Sequence, residues 1–173
     1  MLVAAILVVF PFAMSYAAMS DMMSMTIANR ISILLVGAFL VIAPLTGMPL
    51  IQIGWHVAAL AIVLSVCFAL FAAGAMGGGD AKLMASTALW FGLDMNLISY
   101  LLVASALGGV LTLAILRFRS SNVTVYAGKV DFLLRIADPK EKIPYGIALG
   151  IAGLLIYPET PLMIWAMNQL TMG

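Results

Sequence analysis

Apolar residues run along this chain in long stretches parted by short polar breaks. Met1 to Met19 forms the first stretch, Ile31 to about Ile51 the second, with Pro44 and Pro49 bending its far end, and Ile53 to Met76 the third. Gly77-Gly78-Gly79-Asp80 follows, then a short run from Leu83 to Leu93 and, beyond Asp94, a long one from Asn96 to Leu116. A polar stretch covers Arg117 to Lys142. The last run opens at Pro144, and Pro158 and Pro161 interrupt it before Leu162 to Leu170. A helix needs about 20 mostly apolar residues to cross a ~30 Å hydrocarbon core at ~1.5 Å per residue. The pattern therefore predicts an all-α, polytopic membrane protein of about six transmembrane helices, with residues 1–173 as a single integral membrane domain. Within the polar stretch (about 117–143), Val123, Tyr126, Ala127, Val130, Leu133, Leu134 and Ala137 recur at helical spacing. That spacing predicts an amphipathic helix on the inner membrane surface.

Composition agrees. Hydrophobic residues make up 65% and charged residues 9% of the chain, against about 45–50% and about 25% in soluble domains. So few charges cannot solvate a soluble domain, and so much apolar surface excludes disorder. The net charge of +1 gives no sign of nucleic-acid binding. One Cys and one His leave no disulfide, zinc ribbon or His-based metal site to build.

Charge sets the orientation. The eight basic residues are Arg30, Lys82, Arg117, Arg119, Lys129, Arg135, Lys140 and Lys142. With six spans all of them fall on one side, and the other side holds Asp94 and Glu159 with no Lys or Arg. The positive-inside rule places the Asp21, Asp80 and 117–142 loops in the cytoplasm. An even number of spans then puts both termini outside, and a reporter fused after Gly173 is expected to read periplasmic. The competing reading is a cleaved signal peptide ending near Ala17-Ala18, which the missing basic n-region disfavours.

Asp21 and Asp80 carry the candidate chemistry. Both are expected just past the inner ends of the first and third spans, at one depth, where acidic residues are costly and tend to be functional. Two carboxylates that meet cannot both ionise easily, so they share a proton and titrate as a pair. The ionised one draws a proton from water, and the protonated one polarises a peptide carbonyl. This chemistry needs no metal, Cys, His or cofactor. Gly77, Gly78 and Gly79 disfavour helix, and they let an extended substrate approach the backbone. The alternative for them is an ordinary flexible turn.

These residues carry a resemblance. Gly77-x-Gly79-Asp80-x-Lys82-Leu83 resembles the GxGDxKL element of the prepilin peptidases, a family of membrane aspartic proteases. Asp21 with Ile27-Ala28-Asn29 is similar to that family's first catalytic Asp and its Ile-Pro-Asn, with Ala28 in place of the Pro. Pro144-Tyr145-Gly146 resembles the segment opening its last helix. The short form looks most like the CpaA/TadV-type members of Flp/Tad pilus systems.

The resemblance implies that Asp21 and Asp80 are the catalytic pair, with Gly77, Gly79, Lys82 and Asn29 supporting the site and no cofactor. It implies prepilin and pseudopilin substrates, cut on the cytoplasmic side of the bacterial inner membrane before their hydrophobic helix. The bilayer, and the pilus assembly machinery, are the other implied partners. Larger relatives have a cytoplasmic domain with paired cysteines and also methylate the new N-terminus. The first span starts at residue 1 and Cys67 is the only Cys, so peptidase activity without methyl transfer is expected.

Other residues have plainer expectations. Lys82 reads as a snorkelling interface lysine and Asn29 as a helix cap. Met19, Met22, Met23 and Met25 read as apolar packing, or as a groove for varied leaders. Trp55 and His56 are expected at the outer interface and Cys67 in the core. Gly108, Gly109, Gly146, Gly150 and Gly153 are expected at close helix contacts, and Tyr145 hydrogen-bonded near the site. The competing functions are a non-catalytic scaffold of a pilus or secretion apparatus and a proton-coupled carrier. An intact Asp pair disfavours the scaffold, and two acids at one membrane face disfavour the carrier. A presenilin-type protease would need a Tyr-Asp dipeptide, which the chain lacks.

Overall fold

The structure, a computed structural model, describes residues 1–120, 138 and 143–172. The predicted amphipathic helix lies outside the described residues. Helix α1 (Leu2–Ser24) carries Pro11 and ends where Met25 turns left-handed, φ 53°. Extended Ala28 then starts α2 (Asn29–Leu45). Pro44 closes α2, Gly47 turns the chain at φ +79°, and Pro49 launches α3 (Leu50–Ala72). Leu50 and Ile51 thus belong to α3, not to the end of the second run.

Helix α4 (Gly78–Phe91) stops at Gly92, whose φ of 73° suits glycine. Helix α5 (Met95–Arg119) is capped by Asp94, whose Oδ1 accepts from the Met95 N–H at 2.7 Å. Helix α6 (Tyr145–Ile156), a 3-10 turn (Tyr157–Glu159) and α7 (Pro161–Met172) complete the described chain. The two prolines expected to interrupt the last run do so, with a bend of 50° between α6 and α7.

The described structure is helical, with no strands among the described residues. By length and hydropathy α1, α3 and α5 are able to cross a membrane, and the bent α6–α7 pair makes a fourth. The count of six therefore rests on α2, which has 17 residues, and α4, which has 14. Helix α4 reaches only about 21 Å at ~1.5 Å per residue. It is a core helix. Ser86, Thr87, Leu89, Trp90 and Phe91 are all buried, because α3 packs along one side and α2 and α6 along others.

An aromatic cluster fixes the end of α4. Trp90 sits 5.2 Å from Phe10, 5.9 Å from Phe39 and 6.0 Å from Tyr157. Its Nε1–H donates to the Leu35 carbonyl at 3.0 Å. The Tyr157 hydroxyl donates to the Ile6 carbonyl at 2.8 Å. These contacts tie α1, α2, α4 and the 3-10 turn together. Trp90→Ala empties that cluster and is expected to cost about 3–5 kcal/mol. The check is the unfolding midpoint in detergent, and an unchanged midpoint contradicts the packing role.

The bundle has two chemically different ends. Asp21, Asn29, Arg30, Asp80, Lys82, Arg117, Arg119 and Tyr145 lie at one. His56, Asp94, Asn96 and Glu159 lie at the other, where the Asn96 side chain donates to the Glu159 carbonyl at 2.9 Å. The four described basic residues thus share the end that holds Asp21 and Asp80.

Candidate active site

Asp21 occupies the last turn of α1 and is only 5% exposed. Its carboxylate Oδ2 accepts from the Gly146 backbone N–H at 2.6 Å. That N–H is free for the role because Gly146 stands in the first turn of α6, where helix amides have no intrahelical partner. Close approach depends on the missing side chain. A Cβ on Gly146 would stand 2.8 Å from both Asp21 Cβ and Asp21 Oδ2, and 2.9 Å from Ile27 Cδ1. The same face of α6 continues the contact with α1. A Cβ on Gly150 would lie 2.9 Å from the Met14 carbonyl, and one on Gly153 2.6 Å from Met14 Cε. The expected close packing at these glycines and at Gly108 is present. Gly109 has nothing within 4 Å of where its Cβ would be.

Asp80 does not lie in a break between spans. It is the third residue of α4, after an extended Gly77 at the N-cap and Gly78 and Gly79 in the first turn. The run of glycines therefore includes a helix start. The positive end of the α4 dipole faces this turn and favours negative charge there. A Cβ on Gly77 would come within 2.6 Å of Asp80 Oδ2, so the carboxylate lies over bare backbone.

Ile27 links the two acids. It approaches Gly146, whose N–H holds Asp21, and its Cβ lies 3.2 Å from where a Gly79 Cβ would be, beside Asp80. The Met25–Ala28 connection that presents Ile27 is shaped by hydroxyls. Ser20 Oγ donates to the Thr26 carbonyl at 3.0 Å, and Ser24 Oγ donates to the Ser20 carbonyl at 2.7 Å.

Asp80 also lines a cavity of about 550 Å³ with Met76, Gly77, Met84, Arg119, Tyr145 and Leu149 among its walls. Asp21 is not in that wall. The Tyr145 ring packs on Gly108, where a Cβ would come within 2.7 Å of it, and its hydroxyl bonds Thr112 Oγ1 at 2.8 Å. Tyr145 is thus hydrogen-bonded beside the cavity, as expected. The sequence marked Arg119 only as one of the basic residues and did not mark Thr112, because neither belongs to a recognisable site motif.

Two of the supporting residues differ from their plainer expectations. Asn29 is not the N-cap of α2; that position is Ala28, which makes no side-chain capping bond. Asn29 Oδ1 instead accepts from Lys82 Nζ at 3.0 Å, joining α2 to α4 near Asp80. Lys82 is exposed and held by this bond, rather than simply marking an interface. Met19, Met22 and Met23 are exposed beside Asp21. Cys67 is in the core, with Sγ 3.5 Å from Met84 Sδ. Of the neighbouring rings Trp55 and His56, Trp55 is exposed and His56 is buried.

The fold and site define a helical membrane protein that gathers two carboxylates and a cavity at one end of its bundle. Its sequence matches the type IV leader peptidase family over residues 8–113, a span that contains both Asp21 and Asp80. The chain belongs to that family, which makes it a peptidase of leader-bearing proteins. The Tyr145-Gly146 segment lies beyond the matched residues. No curated protein and no solved structure matches the chain.

Proposed function

We propose that this protein is an aspartic endopeptidase that removes the leader of type IV and Flp-type prepilins and pseudopilins. Asp21 and Asp80 act on one water at the cytoplasmic face of the inner membrane. One carboxylate takes a proton from the water as its oxygen attacks the scissile carbonyl carbon. The other, protonated, donates to the carbonyl oxygen. Collapse of the tetrahedral species breaks the C–N bond: the departing amine takes the proton drawn from the water, and the hydroxyl returns its proton to the other carboxylate, which restores the pair. The observation that best supports this reading is Ile27, which touches the residue holding Asp21 and the residue flanking Asp80. The cavity beside Asp80 offers room for an extended chain, and Gly77 leaves its backbone open to a close approach. In this reading Lys82 and Asn29 brace α4 against α2, and Gly77 and Gly79 let the acid-bearing turn pack closely.

The test is co-expression with candidate prepilins from the same genome, with leader loss followed by gel shift and mass spectrometry. A product shortened by the leader is expected. Intact precursor from several prepilins beside correctly inserted protein would favour the scaffold reading. Orientation is tested in a Cys67→Ala background. Ser120→Cys is expected to react with an impermeant thiol reagent only from the cytoplasmic side, and Glu159→Cys only from the periplasm. Reversed labelling contradicts the proposed side of cleavage.

A further inference from the structure

At the end of the bundle away from the aspartates, a cavity of about 350 Å³ opens between α3, the α4–α5 turn and the start of α7. Gln52, Trp55, His56, Gly92, Asp94 and Pro161 line it. His56 is the informative member. It is 3% exposed and stacked on Phe39 at 5.0 Å. Its Nδ1 lies 2.7 Å from the Leu89 carbonyl. A carbonyl only accepts, so Nδ1 carries the hydrogen, and Nε2 of the neutral ring presents a lone pair. Among the described residues no protein group bonds Nε2, and the ring forms part of the cavity wall. Gly92 keeps the approach open. A Cβ there would stand 2.9 Å from Nε2.

The remaining wall groups share one preference. Asp94 spends Oδ1 on the α5 cap and brings a negative charge. Trp55 is 57% exposed and offers an indole face, and Gln52 offers an amide oxygen. A lone pair, a carboxylate and an aromatic face together suit a cation that donates several hydrogen bonds. The acids described at this end are Asp94 and Glu159, and the described Lys and Arg residues all lie at the other end, so an anion finds no partner among the described residues here.

We propose that this cavity is a binding site for a protonated primary amine. Its three N–H donors would meet His56 Nε2, the Asp94 carboxylate and the Gln52 amide oxygen, with Trp55 packed against the cation. Two sources carry this chemistry: the ethanolamine headgroup of a membrane lipid, and a free amine.

The test uses purified full-length protein and native mass spectrometry in detergent, with phosphatidylethanolamine, phosphatidylcholine and ethanolamine as probes. Choline keeps the positive charge but has no N–H to donate. The expected result is at least fivefold greater retention of phosphatidylethanolamine than of phosphatidylcholine, lost in Asp94→Asn. The Asn side chain keeps an oxygen to cap α5, so this variant removes the charge and leaves the helix start intact. Gln52→Leu, a second variant away from any cap, is expected to weaken retention as well. Ethanolamine that binds wild type but not Asp94→Asn, without any lipid preference, supports the amine site and assigns it to a free amine. Equal retention of both lipids with no ethanolamine binding, or an amine preference unchanged in both variants, overturns the proposal.

Discussion

Asp21→Asn and Asp80→Asn each lower leader cleavage by at least about 10³-fold while the protein still inserts and keeps its unfolding midpoint. The two substitutions reach the same result from different surroundings. Asp21 is buried against α6, and its Oδ2 accepts the Gly146 N–H. An Asn there keeps an oxygen for that N–H but cannot take a proton from water. Asp80 stands in the first turn of α4 on the cavity wall. An Asn there keeps the shape and gives up the charge. Neither change is large in volume, so lost cleavage reports lost chemistry and not lost packing. Cleavage initial rates on purified protein, with circular dichroism as the fold control, check the prediction. A well-folded variant that retains a tenth of wild-type activity contradicts a catalytic role for that residue.

Gly146→Val is expected to cost at least about 10²-fold in cleavage, the scale of a misplacement of about 1 Å at a catalytic group. The first carbon of the new side chain would meet Asp21 Cβ and Oδ2 at 2.8 Å, and Ile27 Cδ1 at 2.9 Å. Either α6 withdraws from α1 or the carboxylate turns away, and in both cases the 2.6 Å bond is lost. Overpacking of this kind also costs about 1–3 kcal/mol of stability. Gly109→Ala is the control. Its Cβ would meet nothing within 4 Å, so cleavage is expected to stay within about twofold of wild type, and exchange of a helical Gly for Ala is worth up to about 1 kcal/mol of added stability. Equal losses in both variants would show that α6 and α5 tolerate no added carbon anywhere, and that Gly146 has no special tie to Asp21.

The most legible parts of this protein are those written locally. Long apolar runs gave α1, α3 and α5 because a membrane helix must satisfy its backbone internally and is apolar along its length. Pro158 and Pro161 marked the bend between α6 and α7. Asp21 and Asp80 stood out because carboxylates are uncommon beside such runs, and Asp21 to Asn29 and Gly77 to Lys82 stood out by their resemblance to the family's motifs.

What the sequence hid depends on contacts between distant segments. Burial of α4 on several sides is invisible to hydropathy, since an apolar residue facing lipid and one facing Trp90 read alike. The Asn29–Lys82 bond spans 53 residues, and each residue alone fits a cap or an interface lysine. Gly146 stood out only as a packing glycine and as part of Pro144-Tyr145-Gly146. Its use is the backbone N–H, which every residue but proline possesses, and only the approach of α6 to α1 selects it. His56 follows the same logic: beside Trp55 it reads as an interface ring. The bare Gly92, 36 positions further on, leaves its Nε2 open to a cavity.

The two aspartates are proposed to act as one unit, and a double variant reports on that coupling. Purified wild type, Asp21→Asn, Asp80→Asn and the double variant would be assayed on a synthetic leader-bearing peptide, with the product quantified by mass spectrometry. Residues that share one chemical step are not additive, since either loss already disables the step. The double variant is expected to fall no lower than the less active single variant. A double variant whose loss equals the product of the two single losses would mean that Asp21 and Asp80 contribute independently, and would contradict the paired mechanism.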